Sequence, residues 1–201
     1  MLAFLDTEFT DLVIEPRLLS VGIVTDDRND REFYAEVTDP DRIHATCWFG
    51  LATVLPQFGK LPHAASTYAQ LGVRLSEYFG HLTSGLKADA FIALAYGYPL
   101  DWELVDRAIT DAAVPSWAAT RRRIRPVNVY PLTGFGSGKR AADTYLKSQE
   151  LAPVSHHHAL CDARALRLAY EAATQAHDGP VPPDAQAQET TVAVACRGTP
   201  R

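Results

Sequence analysis

The stretch FLDTEFT (residues 4–10) sets two carboxylates, Asp6 and Glu8, one residue apart at the end of an apolar run. Side chains at i and i+2 of a strand point the same way, so the pair would repel unless something positive lies between them. Asp101, in YPLDW, follows the apolar run ADAFIALAYGY and falls in the first turn of a helix that Pro99 suits. Alone, an acid there only complements the helix dipole. Asp162, in SHHHALCDARAL, precedes Leu166 and Ala169 by four and seven positions, on or beside a buried helical stripe. An aspartate on that face is costly unless paired or bound to a cation. His157 is five residues earlier, about 140° away around an ideal helix, so it meets Asp162 only from the loop before the helix. By itself the run His156, His157, His158 reads equally as a polar loop or as adventitious nickel and zinc binding.

Together, Asp6, Glu8, Asp101 and Asp162 on separate buried elements would make an acidic pocket, unstable empty and matched to divalent cations. Oxygen-only ligands point to Mg²⁺ or Mn²⁺ rather than zinc. Two ions about 3.5–4 Å apart stabilise the attacking and leaving oxygens of an in-line displacement at phosphorus, which is phosphodiester hydrolysis. A neutral histidine nearby would take a proton from the attacking water, worth on the order of 10²–10⁴-fold.

These residues need elements to hold them. MLAFLD (1–6), LLSVGIVTD (18–26) and REFYAEV (31–37) read as strands, the last two joined as a hairpin through the turn chemistry of DDRND. Residues 39–59 read as a broken helical segment, 63–82 as an amphipathic helix, 88–98 as a buried strand and 100–110 as a helix. A short strand at 127–132, a helix near 138–149 and a long helix over 159–176 follow. The order predicts an α/β fold, a mixed central sheet flanked by helices, with a site at strand ends. Residues 1–177 form the folded domain. Residues 178–201, rich in Pro, Gln, Thr and Ala, read as a mostly disordered tail with one short docking strand in TVAVA.

With 201 residues, 47% of them hydrophobic, the chain can bury a full core. No apolar run is long enough to span a bilayer, and the opening residues lack the pattern of a signal peptide. Three cysteines without a CxxC indicate neither a disulfide framework nor a zinc site, which fits a reducing cytoplasm. A net charge of −5 excludes coating nucleic acid or membrane through bulk charge. Local sign differs: residues 120–147 carry Arg121, Arg122, Arg123, Arg125, Lys139, Arg140 and Lys147 against Asp143 alone. Read without the acidic pocket, this is a solvated surface segment. Read with it, Arg121 to Arg125 and Lys139–Arg140 hold the phosphate backbone that the carboxylates repel. GFGSGKR (134–140) fails the P-loop pattern, with Thr133 and Arg140 at positions that need Gly and Ser or Thr.

The motifs resemble those of the DEDDh 3′–5′ exonucleases of the ribonuclease H-like superfamily: D-x-E in DTEFT, an aspartate just after a buried strand in YPLDW, and H-x-A-L-x-D-A in HHALCDA (157–163). The resemblance runs from residue 1 to about 175 and is greatest to the small bacterial exoribonucleases of mycobacterial type. Many members carry an asparagine and a phenylalanine where this chain has Gly97 and Leu100. The resemblance implies a ribonuclease H-like exonuclease fold, two Mg²⁺ or Mn²⁺ ions on Asp6, Glu8, Asp101 and Asp162, and His157 as general base. It also implies single-stranded nucleic acid 3′ ends as partner, RNA favoured over DNA, release of nucleoside 5′-monophosphates, and a homodimer as a common arrangement. Phe9 becomes a candidate for stacking on the terminal nucleotide, worth about 1–3 kcal/mol, with Thr10 close to the 3′ end. Trp102 lines the same cleft or serves the core, and Phe9 too can be core. The competing readings are an exodeoxyribonuclease, a catalytically silent nucleic-acid-binding module on the same fold, and a mononuclear iron oxygenase, which would need two convergent histidines.

Overall fold

Every residue of Leu18–Thr25 is buried, and this strand, β2, lies at the middle of the sheet. The structure, a computed structural model, describes residues 1–12, 15–26 and 31–177. Its strands are β1 (Leu2–Phe9), β2, β3 (Glu32–Val37), β4 (Ala65–Ser66), β5 (Ile92–Tyr96) and β6 (Ile124–Asn128). Its helices are α1 (Pro40–His44), α2 (Tyr68–Ser84), α3 (Pro99–Asp111), α4 (Trp117–Arg121), α5 (Tyr130–Thr133), α6 (Gly136–Ser148) and α7 (Ala159–His177). The sheet order is β4-β3-β2-β1-β5-β6. β2 pairs antiparallel with β1 and β3, while β1–β5, β5–β6 and β3–β4 are parallel, so the sheet is mixed.

Alternation along the strands assigns the two faces. Ala3, Leu5, Val21, Ile23 and Leu94 pack against Leu71, Leu75 and Phe79 of α2 and Val105 and Ile109 of α3. Phe4, Val24 and Ala95 point the other way, to Leu160 and Ala163 of α7. Asp6 and Glu8 share the parity of Phe4 and therefore face α7. Gly22 is paired with Asp6 across the β1–β2 ladder. A Cβ at Gly22 would lie 2.3 Å from the Ala159 backbone, so only glycine lets the start of α7 rest on the sheet beside Asp6.

The predicted α/β class, the mixed sheet and the β2–β3 pairing agree with this architecture. β1 continues past residue 6 to Phe9, placing Glu8 inside the strand. α2 begins at Tyr68 rather than 63 because Thr67 and Gln70 form a reciprocal cap, and the residues just before it pair with β3 as β4. β6 occupies 124–128 rather than 127–132: Pro126 obscures its pattern yet is tolerated on an edge strand. The Asn128 side chain then accepts a hydrogen bond from the Tyr130 N–H (2.9 Å) and opens the short α5. The five-residue α4 carries no amphipathic signal long enough to read. The DDRND turn beyond Asp26 and the tail, with TVAVA and Cys196, lie outside the described residues. Cys47 and Cys161 are free thiols. Among the described residues, no helix is long and apolar enough to cross a membrane.

Candidate metal centre

β1 delivers the first two carboxylates. Asp6 and Glu8 stand on its α7 face, and after Glu8 the β1–β2 register slips by one residue, a bulge that ends regular pairing beside the site. α7, seated on Gly22, brings Asp162 from its first turn. One carboxylate oxygen from each of Asp6, Glu8 and Asp162 lies within 4.8 Å of the others. Asp162 Oδ2 accepts the His157 N–H at 3.0 Å, whereas Oδ1 is buried with no hydrogen-bond partner among the described residues.

Asp101 is 1% exposed and stands outside this trio. Its Oδ1 accepts the Thr7 hydroxyl at 2.8 Å and its Oδ2 the Tyr98 N–H at 3.0 Å. Asp101 is thus held through Thr7 and Tyr98, beside the close grouping of Asp6, Glu8 and Asp162 rather than in it. Each of its oxygens accepts one hydrogen bond from the protein, which leaves further lone pairs on both. Its charge still reaches the trio, for it is among the causes that raise Asp6 and Glu8.

Burial is the largest cause of every carboxyl shift here. It and the neighbouring negative charges push Asp6 well above the usual carboxylate range and Glu8 up to about 8. Burial pushes Asp162 up to about 7, against the lowering effect of the His157 N–H. Asp101 rises to about 6, opposed by its hydrogen bonds. Without a counter-cation these groups draw protons near neutrality, while a divalent cation would supply the missing positive charge. The orphaned Asp162 oxygen and the all-oxygen donor set fit a hard ion such as Mg²⁺ or Mn²⁺.

The histidines precede α7, as their convergence with Asp162 requires. His157 has φ 65°, in the left-handed region. Its ring stacks on His156 (3.8 Å, 21°) and meets Phe49 edge-on at 4.9 Å. Burial, and then the charge of His156, hold the His157 pKa below its ordinary value. Gln57 ties the loop down, donating to Ser155 Oγ (2.8 Å) and the His156 carbonyl (3.0 Å), while Lys60 Nζ donates to its amide oxygen at 2.7 Å. His158 points inward, 1% exposed and stacked on Tyr34 at 4.2 Å, its pKa lowered by burial to about 4.

Two hollows flank the carboxylates. One, of 340 Å³, is lined by Asp6, Asp162, His156, Gly97, Tyr130 and Lys139 among others. The other, of 260 Å³, is lined by Glu8, Phe9, Asp11, Leu12, Cys47, Phe49 and Val54. Phe9 thus borders the site, its ring stacked on Tyr98 at 5.9 Å. Gln57 and Phe49 are what sequence reasoning missed. The exposed aromatic pair Trp48–Phe49 in CWFG was the one signal that pointed here.

The remaining expected substrate residues are placed differently. Thr10 is buried, and its hydroxyl accepts the Arg17 N–H (3.1 Å) to close a turn. Trp102 belongs to the core, tilted against Trp117. Arg121, Arg122, Arg123 and Arg125 gather where β6 begins, and parallel pairing sets Ile124 beside Ile92, at the start of β5. The carboxylates lie at the far end, about 13 Å along β5. At the start of β6, Arg121 grips Asp106 with two 2.8 Å bonds, Arg123 donates to the Thr83, Lys87 and Ala90 carbonyls, and Arg125 lies over Phe91. Arg140 lines the outer groove between α6 and α7. Only Lys139 of the basic set borders the acidic hollow, with its Nζ 2.6 Å from Asp143.

No protein-family model matches this chain, and no curated protein matches it closely enough to count as a relative.

Proposed function

We propose that the chain is a metal-dependent 3′–5′ exonuclease with a ribonuclease H-like fold, trimming single-stranded RNA from its 3′ end to nucleoside 5′-monophosphates. The observation that carries this reading is the buried trio Asp6, Glu8 and Asp162, with an orphaned Asp162 oxygen and, on the adjoining loop, a histidine whose pKa burial lowers. The trio would hold Mg²⁺ or Mn²⁺, which supplies charge stabilisation at the scissile phosphate and a more acidic attacking water.

The chain's own residues do the rest. His157, kept neutral by burial, accepts the proton of the attacking water, and the Asp162 carboxylate fixes the loop through the His157 N–H. Asp101, locked by Thr7 and Tyr98, contributes fixed negative charge behind the trio. Lys139, the one Lys or Arg among the described residues on the acidic hollow, would exchange its exposed partner Asp143 for a phosphate. The apolar hollow beside Glu8, with Phe9 and Phe49 on its walls, suits a nucleobase regardless of its identity. RNA is favoured over DNA on the motif resemblance, since discrimination requires contact to a 2′-hydroxyl.

The test is digestion of matched 5′-labelled single-stranded RNA and DNA with Mg²⁺, Mn²⁺ or EDTA, beside Asp6→Ala. A metal-dependent ladder shortening from the 3′ end, absent in the variant, is the expected result. Intact strands in every lane would instead favour a silent nucleic-acid-binding module.

A further inference from the structure

Asp162 belongs to two clusters at once. Besides its grouping with Asp6 and Glu8, its carboxylate and one ring nitrogen each from His156 and His157 lie within 4.8 Å of one another. The two imidazoles stack at 3.8 Å, which brings their edges side by side, and Gln57 holds the loop that carries them. Asp162 adds a buried oxygen with no partner among the described residues. Two imidazole nitrogens and one carboxylate are a different donor set from three carboxylates. They suit a borderline ion better than a hard one, and three protein ligands with an open position are a common zinc arrangement.

We propose that His156, His157 and Asp162 form a second metal site, which takes Zn²⁺ in preference to Mg²⁺, and that zinc held there stops hydrolysis. The second half rests on the reading of His157 as the base: a nitrogen whose lone pair is held by zinc has none for a proton. Mg²⁺ does not displace that ion, because it prefers oxygen ligands. In the sequence the cysteines give no zinc motif, and the histidine run reads only as a polar loop or an adventitious nickel and zinc binder. The site arises from the left-handed turn at His157, which folds two consecutive histidines over the first turn of α7.

The test uses the full chain, stripped by a chelator and titrated with Zn²⁺ in millimolar Mg²⁺ by calorimetry, beside His156→Ala. The His156 side chain is exposed, so its removal leaves the core intact. One Zn²⁺ per chain is expected. Loss of even an outer-shell partner typically costs about 10–100-fold in metal affinity, so the variant should bind at least about tenfold more weakly. Equal affinities would overturn the site. In the nuclease assay, Zn²⁺ should inhibit the unmodified chain, added Mg²⁺ should not relieve it, and His156→Ala should need correspondingly more Zn²⁺. Inhibition that Mg²⁺ reverses, or that is equal in the variant, would put the zinc on the carboxylates and overturn the regulation. A chain with no nuclease activity would sink the exonuclease reading, while the calorimetric comparison would still decide the zinc site.

Discussion

The two ends of β5 carry opposite charge and treat it in opposite ways. At the end beside Asp6, Glu8 and Asp162, like charges are buried together, and among the described residues no arginine lines their hollow. At the start of β5 and β6, Arg121 and Arg123 are matched by Asp106 and by backbone carbonyls. A pocket that stores unfavourable charge is prepared for a ligand, whereas a satisfied cluster holds the chain together. The number of charges in a segment therefore says less than the strand end at which it emerges.

Substitutions can break this contrast. Asp162→Ala should have the largest effect. A bound ion supplies several kcal/mol of transition-state stabilisation, so turnover should fall about 10³-fold or more, and the metal-free protein should melt no lower than the unmodified chain. Near-normal hydrolysis by this variant would remove the metal assignment. Next, His157→Ala should slow hydrolysis by on the order of 10²–10⁴-fold with Mg²⁺ affinity largely kept, while His156→Ala is mild in zinc-free buffer. Comparable losses in the two variants, measured by single-turnover kinetics, would take the base away from His157.

Gly22→Ala should destabilise the fold by about 1–3 kcal/mol or more, by forcing α7 off the sheet. An unchanged denaturation midpoint would mean that the close approach at Ala159 is dispensable. A smaller effect concerns pH. The carboxyl groups are near 4 when unfolded and are raised in the fold, Asp101 to about 6, Asp162 to about 7 and Glu8 to about 8. Between those limits the native state binds more protons, so stability is highest at the acid side and is lost as pH rises through 6 to 8. The metal-free protein should melt a few °C lower at pH 8 than at pH 5.5, and saturating Mg²⁺ should close the gap; a flat profile would argue against the stored charge. The smallest expected effect sharpens the contrast. Arg122→Ala should change KM for RNA by less than about twofold, as befits an exposed site away from the pocket, whereas Lys139→Ala should raise it. The reverse ranking would mean that the strand runs over the arginine end.

What the sequence made legible was local. The spacing of Asp6 and Glu8 uses the two-residue period of a strand, and the placing of Asp162 and His157 uses one helix and its start. The β2–β3 hairpin likewise needs only neighbouring residues. The rest depends on contacts between distant segments. Gln57 reaches a serine 98 positions away, Gly22 matters because Ala159 lies on it, and Asp101 is held by Thr7 of β1. The distance of Arg121 to Arg125 from the carboxylates is hidden for a similar reason, since nothing local states that β6 runs parallel to β5 and so begins at the opposite end.

The left-handed backbone at His157 has a consequence for how such a molecule would change under selection. A residue with a Cβ is about 1–2 kcal/mol worse off there than glycine. Replacing this histidine by glycine therefore relaxes the main chain in the same step that removes the proposed base. A screen for thermal tolerance alone would drift toward sturdier descendants without the imidazole, and, on the proposed function, only a demand for turnover would hold it in place.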